Sequence, residues 1–162
     1  MTDHVAHVMD QWRVARPDLD PSPQGVIGRL HRVANRLTEE LVAVHGLHGL
    51  GEGEFDILAT LRRQGAPYAL TAGALASQTM VTSGAITKRV DRCLARGWVT
   101  RAPSDEDARG RVIALTDAGR ALIDAAFTDH IANEQRLLTL FTAGERAQLA
   151  GLLARWAEEL GL

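Results

Sequence analysis

Cysteine is almost missing from this chain: Cys93 is its one thiol in 162 residues. That excludes an internal disulfide and any zinc site built on paired thiolates, and it suits a thiol-reducing cytoplasm. Aromatic residues make up 4%, prolines number 5, and no repeat or low-complexity tract is present. No window comes near the roughly 18 uncharged apolar residues of a membrane span. The opening residues, MTDHVAHVMDQW, lack a basic stretch followed by an apolar one, so export is not expected either. The sequence therefore predicts a soluble, cytoplasmic protein with no membrane partner. Catalytic signatures are missing too: there is no G-x-S-x-G, no H-E-x-x-H and no P-loop. Gly49, Gly51 and Gly53 fall short of G-x-G-x-x-G because Glu54 takes the last place, and no strand precedes them. An enzyme is not expected.

What is there is 46% hydrophobic and 23% charged, the make-up of one globular domain, 1–162, with a buried core. The formal net charge is -2, which argues against a uniformly basic nucleic-acid coat. The sum hides a local pattern. Between Thr82 and Arg111, seven Lys and Arg residues stand against four Asp and Glu, so that segment carries +3 and the remainder -5. A nucleic-acid-binding element on an acidic scaffold shows this asymmetry, and so do solvated arginines along a helix.

Apolar spacing lays out the elements. A short helix is predicted over 5–16, stopped by Arg16-Pro17-Asp18-Leu19-Asp20-Pro21-Ser22-Pro23, whose prolines cannot continue it. Beyond it, with Ser22 as N-cap ahead of Pro23, residues Val26, Leu30, Val33, Leu37, Leu41 and Val44 make one stripe of a long helix. The glycine-rich run from His45 to Gly53 is expected to end that helix. Glu54 to Gln64 reads as a short helix with Phe55, Leu58 and Leu61 inward, and Thr71 caps a second. A third begins near Thr82, with Ile86, Val90 and Leu94 inward and Gly97 as its C-cap glycine. Then 98–101 and 111–115 are β-prone runs joined by a polar loop, which predicts a hairpin. Thr116 opens a long helix reaching to near Leu140. Thr142-Ala143-Gly144-Glu145 is a capping box for a last helix, with Leu149, Leu152, Leu153, Trp156 and Leu160 on one stripe.

Three short helices followed at once by a hairpin form the winged-helix pattern, in which the third helix enters the DNA major groove and the hairpin reaches the neighbouring minor groove. The third helix offers Ser83, Gly84, Thr87 and Lys88, small residues and hydroxyls that allow close approach, plus one cation. The loop offers Arg109 and Arg111, whose guanidinium groups suit a narrow, negative groove. An ordinary amphipathic helix with a charged loop would carry the same residues.

Five stretches, Leu70-Thr71 with Leu75-Ala76, Thr87-Lys88-Arg89-Val90-Asp91-Arg92, Gly97-Trp98-Val99, Asp107-Ala108-Arg109-Gly110, and Leu115-Thr116 with Gly119-Arg120, resemble the MarR family of winged-helix transcriptional regulators. The resemblance covers nearly the whole chain. It implies a mainly α winged helix-turn-helix fold with an added N-terminal helix, 53–116 as the DNA-binding lobe, and 1–47 with 117–162 as the helical region of a homodimer. It assigns Asp107 to brace Arg109 in the minor groove, with Ala108 where many relatives carry a second arginine. Two recognition helices would then read half-sites roughly 34 Å apart on a pseudo-palindrome of double-stranded DNA.

A narrower likeness lies in Gln11-Trp12-Arg13, 16–20, Ser22-Pro23, Gly28-Arg29-Leu30 and Gly53-Glu54-Phe55-Asp56, which are similar to the family's urate-responsive branch. That branch binds its purine with a tryptophan, an aspartate and two arginines, and the matching residues here are Trp12, Asp56, Arg89 and Arg101. Urate is a flat heteroaromatic anion. An arginine pairs with its charge, an aspartate accepts from its N–H groups, and a tryptophan packs on its ring. Arg89 stands on the recognition helix, so exchanging Asp56 for a ligand would tilt that helix. Each residue also has an ordinary reading: Trp12 as the anchor of the added helix, Asp56 as a first-turn carboxylate, Arg89 and Arg101 as salt-bridge or phosphate partners. The expectation is a repressor released from its operator by urate or a related small anion, with no other cofactor and no bound metal.

Other signals on the same fold remain open. His4 with His7 and His45 with His48 are i, i+3 pairs that a metal sensor would use, although the second sits among glycines where no helix is expected to fix it. Cys93 would serve a thiol-oxidant sensor, but its place beside Leu94 suits a packed small side chain better. Acidity is a further possible signal. From another class, a helical dimeric interaction module would keep the long helices without needing Lys88, Arg109 or Arg111 outward.

Overall fold

Asp3 starts the first helix: its carboxylate accepts the amide of Ala6 at 2.8 Å, and α1 runs from His4 to Ala15. The computed structural model describes residues 3–79, 86–103 and 110–162. These divide into two compact units, Met1–Ala43 and Val44–Leu162, with the boundary inside the long helix α2 (Gln24–Leu47).

In the first unit, α1 and α2 meet where α2 is thin. A Cβ added at Gly28 would lie 3.3 Å from Val5, and one at Gly25 would lie 3.5 Å from the Met9 sulfur. Val5 is buried there, and Asp3 pairs with Arg29 at 2.7 Å. The expected Ser22 cap does not form. Its hydroxyl donates to Asp20 at 2.6 Å and its amide to the same carboxylate at 2.9 Å, a local turn that takes the hydroxyl away from the helix amides. Val26, Val33 and Leu37 of the predicted stripe remain exposed.

The helix does not stop at the first glycine of the run. It continues through Gly46 to Leu47, so His45 is helical and buried, contrary to the sequence expectation. The stop is Gly49, at φ 69, with the Leu50 amide bonded to the His45 carbonyl at 3.1 Å and the Gly49 amide to the Gly46 carbonyl at 3.0 Å. This pair of bonds is a Schellman motif, and buried Leu50 supplies its apolar contact.

The second unit is built on α3 (Glu52–Arg63), whose Phe55, Ile57, Leu58 and Leu61 enter the core. A short strand, β1 (Ala69–Thr71), precedes α4 (Ala72–Gln78); Thr71 caps α4 as expected, its hydroxyl accepting the Ala74 amide at 3.2 Å. Then come α5 (Ile86–Ala95), β2 (Val99–Pro103) and β3 (Arg111–Leu115). The predicted hairpin is present as β2 and β3, paired from Val99↔Leu115 to Pro103↔Arg111. Among the described residues the sheet nevertheless has three strands, in the order β1-β3-β2, because β1 pairs with the free edge of β3 from Ala69↔Ala114 to Thr71↔Val112. The start of α5 expected near Thr82 falls outside the described residues.

Gly97 ends α5 by the same device as Gly49: it sits at φ 70, with Trp98 N–H on the Cys93 carbonyl at 3.0 Å and Gly97 N–H on the Leu94 carbonyl at 2.9 Å. Thr116 then ties this turn to α6 (Asp117–Leu137). Its hydroxyl donates to the Gly97 carbonyl at 2.8 Å and accepts the Gly119 amide at 3.0 Å. The last helix, α7 (Ala143–Glu159), opens with the predicted Thr142–Glu145 capping box and buries none of its residues.

Candidate nucleic-acid interface and effector site

α5 has two faces of opposite character. Ile86, Val90 and Cys93 are buried against the core, whereas Thr87, Lys88 and Asp91 are exposed. Lys88 and Thr87 thus stand side by side on the solvent face, where a polar recognition surface has to be. Ser83, Gly84, Asp107 and Arg109, also assigned to DNA from the sequence, lie outside the described residues. Arg111 is exposed at the first position of β3, and its guanidinium donates to the Gly110 carbonyl at 3.0 Å.

One charged residue turns the other way. Arg89 lies half-buried on the core side of α5, next to Val90, and its stem and guanidinium cover the backbone of α3 at Gly53. Its Nη1 is buried and has no hydrogen-bond partner among the described residues. Asp56 is half-buried one turn further along α3 on the same face as Gly53 and has a polar partner of its own. Arg101, on β2, pairs with Asp91 of α5 at 2.7 Å and so joins the wing to the exposed face of that helix.

Sequence reasoning assigned no role to Arg92 or Glu54, yet they make the second tie between α5 and α3. The Glu54 carboxylate, 10% exposed, is 3.1 Å from Arg92. Two arginines three residues apart therefore hold the first turn of α3, Arg92 through an ion pair and Arg89 by lying over Gly53. The available signal was a glycine between two glutamates in a helical first turn, where glycine costs helix stability unless something needs the space.

Trp12 belongs to the first unit. It is 47% exposed and lines a cleft of about 270 Å³ with Arg16, Leu19, Asp20, Pro21, Pro23 and Gln24. Cys93 is fully buried, and its burial pushes the thiol pKa up to about 12, with the nearby Glu54 charge adding to the effect. That is the reverse of an activated thiolate. Among the described residues, no three His, Cys, Asp or Glu side chains converge as a metal site. His45 instead stacks on Phe55 at 3.8 Å and faces His130, Nε2 to Nδ1, at 3.2 Å. Among the described residues no helix is long and apolar enough to cross a membrane.

A helix-turn-helix whose second helix shows a polar face, followed directly by a β-wing, defines a winged helix-turn-helix protein of the transcription-regulator class. The model of the MarR family matches residues 45–110. The HTH-type transcriptional regulator PecS of Dickeya dadantii (strain 3937) is 41% identical over 156 residues, covering 96% of this chain and 94% of its own. A mutant MarR from E. coli, solved in complex with operator DNA, superposes with a TM-score of 0.71 at 27% identity, over 89% of this chain and 96% of that one. AbsC of Streptomyces coelicolor shares the fold, with a TM-score of 0.75 at 24% identity over 85% of this chain and 94% of its own. The chain belongs to the MarR family of transcriptional regulators, and its likeness to PecS over nearly its full length is consistent with the PecS branch.

Proposed function

We propose that this protein is a homodimeric transcriptional repressor that binds a pseudo-palindromic operator and leaves it when urate or a related purine anion binds. The observation that carries the reading is the two-sidedness of α5: Thr87 and Lys88 face solvent while Arg89 is held on α3. A ligand that changes the surroundings of Arg89 acts directly on the helix that presents Thr87 and Lys88 to DNA.

Thr87 and Lys88 contact bases, with Ser83 and Gly84 allowing close approach; Arg109, braced by Asp107, and Arg111 serve the minor groove. A relative solved with operator DNA supports DNA as the partner. Asp56, Arg89 and Arg101 supply the polar contacts to the anion and Trp12 the ring surface, following the likeness to the urate-responsive branch. Arg89 suits the task because its buried Nη1 has a donor to spare. Dimerisation is supported by the apolar side chains that α2 and α7 leave in solvent, among them Val26, Val33, Leu152 and Leu153. The protein acts by binding rather than catalysis, and in the cytoplasm, where its DNA is.

Calorimetric titration of the purified protein with urate, with salicylate as control anion, tests the effector. Saturable urate binding that Arg89→Ala removes supports the pocket, and a wild type that takes up no urate refutes it. Operator titrations of Thr87→Ala, Lys88→Ala and Arg109→Ala test the DNA side. Helix variants should change sequence preference, whereas the wing variant should weaken every duplex alike. A uniform loss in all three would remove base readout from α5.

A further inference from the structure

We infer that Gly53 is a positioning residue for DNA recognition: the bare backbone at the first turn of α3 is the seat on which Arg89 rests, and that seat sets where α5 lies. The inference rests on the regulator reading above. A Cβ built at Gly53 would overlap the Arg89 Cδ and Nε and come within 2.8 Å of its Cζ. No real side chain tolerates such contacts, so any residue other than glycine drives Arg89 away.

The atoms in the way belong to the flexible end of an arginine rather than to backbone. Substitution at Gly53 therefore displaces Arg89 without preventing α3 from folding, and alanine favours a helical first turn more than glycine does. Arg89 stands on the core side of α5, the side that also carries the buried Ile86, Val90 and Cys93. Seated on Gly53, the Cδ, Nε and Cζ of Arg89 lie directly over the first turn of α3. With the Glu54–Arg92 pair at 3.1 Å on the next residue, two adjacent positions of α3 grip two positions of α5 one turn apart. Releasing one grip leaves α5 hinged on the other, and the exposed Thr87 and Lys88 move with it.

The test uses the full-length protein and reads the seat separately from DNA binding. The Arg89 Nε–H resonance is assigned by its loss in Arg89→Ala and compared between wild type and Gly53→Ala. The expected result is a protected, shifted signal in the wild type that moves to the free-arginine position in Gly53→Ala, while the melting temperature does not fall. Operator affinity is then measured for wild type, Gly53→Ala, Arg89→Ala and the double variant. Gly53→Ala should weaken binding about tenfold, and should add less than about twofold in the Arg89→Ala background. An unmoved Nε–H signal overturns the seat. A displaced signal with unchanged operator affinity, or two losses that multiply in the double variant, overturns its role in positioning α5. If the wild type binds no operator, the regulator reading falls, and the resonance comparison still decides where Arg89 rests.

Discussion

Gly119 has no room for a side chain. A Cβ there would overlap the Trp98 carbonyl oxygen and lie 2.8 Å from its carbonyl carbon, and both atoms are backbone in the turn that ends α5. Unlike Arg89 at Gly53, this neighbour cannot swing away. Gly119→Ala should therefore cost about 1–3 kcal/mol, read as a lowered midpoint in urea with an unchanged slope. His45 makes a prediction about acidity. Burial, helped by the charges of His130 and His48, lowers its pKa from the ordinary 6.5 to about 4. The unfolded chain thus takes up a proton at His45 between those values that the folded chain refuses. The stability this residue contributes is complete above about pH 6.5 and is lost as the pH falls toward 4. Melting temperatures from pH 7 to 4.5 should decline less steeply in His45→Phe, which keeps the stack on Phe55; equal slopes would count against the assignment.

At the scale of the element, three helices among the described residues end by one device. Gly49, Gly97 and Gly161 each take φ close to 70 after the last turn, each with the two reversed hydrogen bonds of the Schellman motif. Gly97 was legible in the sequence because it stands alone after an amphipathic stripe. Gly49 was not, since four glycines fall within eight residues from Gly46, and periodicity does not say which of them takes the left-handed conformation. Packing decides: His45 must stay helical to stack on Phe55, so the stop waits until that turn is complete. Opposite effects follow for two neighbouring glycines. Gly49→Ala should cost about 1–2 kcal/mol for its positive φ, whereas Gly46→Ala, inside the helix with open space around it, should stabilise by up to about 1 kcal/mol. Thermal melts of both variants check the pair. β1 escaped sequence reading for a related reason: three residues carry no alternation, and their strand conformation comes from the edge that β3 offers.

For the whole molecule, the apolar residues left over are as informative as those buried. α7 carries the predicted capping box and leucine stripe, yet buries nothing, with Leu149, Leu152 and Leu153 between 39% and 56% exposed. A second copy of the chain is the partner that the proposed function supplies. Leu153→Glu should then lower the mass seen in sedimentation from dimer to monomer and make the melting temperature independent of concentration. A wild type that already sediments as a monomer would refute the dimer. By itself the sequence determined the order and type of nearly every element, the caps at Thr71, Thr116 and Thr142, and the family likeness, because these depend on contacts a few residues apart or on motifs read directly. The tertiary structure alone decided that Arg89 turns inward onto Gly53, that Arg92 reaches Glu54, that Arg101 pairs with Asp91 and that Gly119 meets Trp98. Those partners are separated by tens of residues or set by which face of a helix meets another, and only the packed chain fixes such distances.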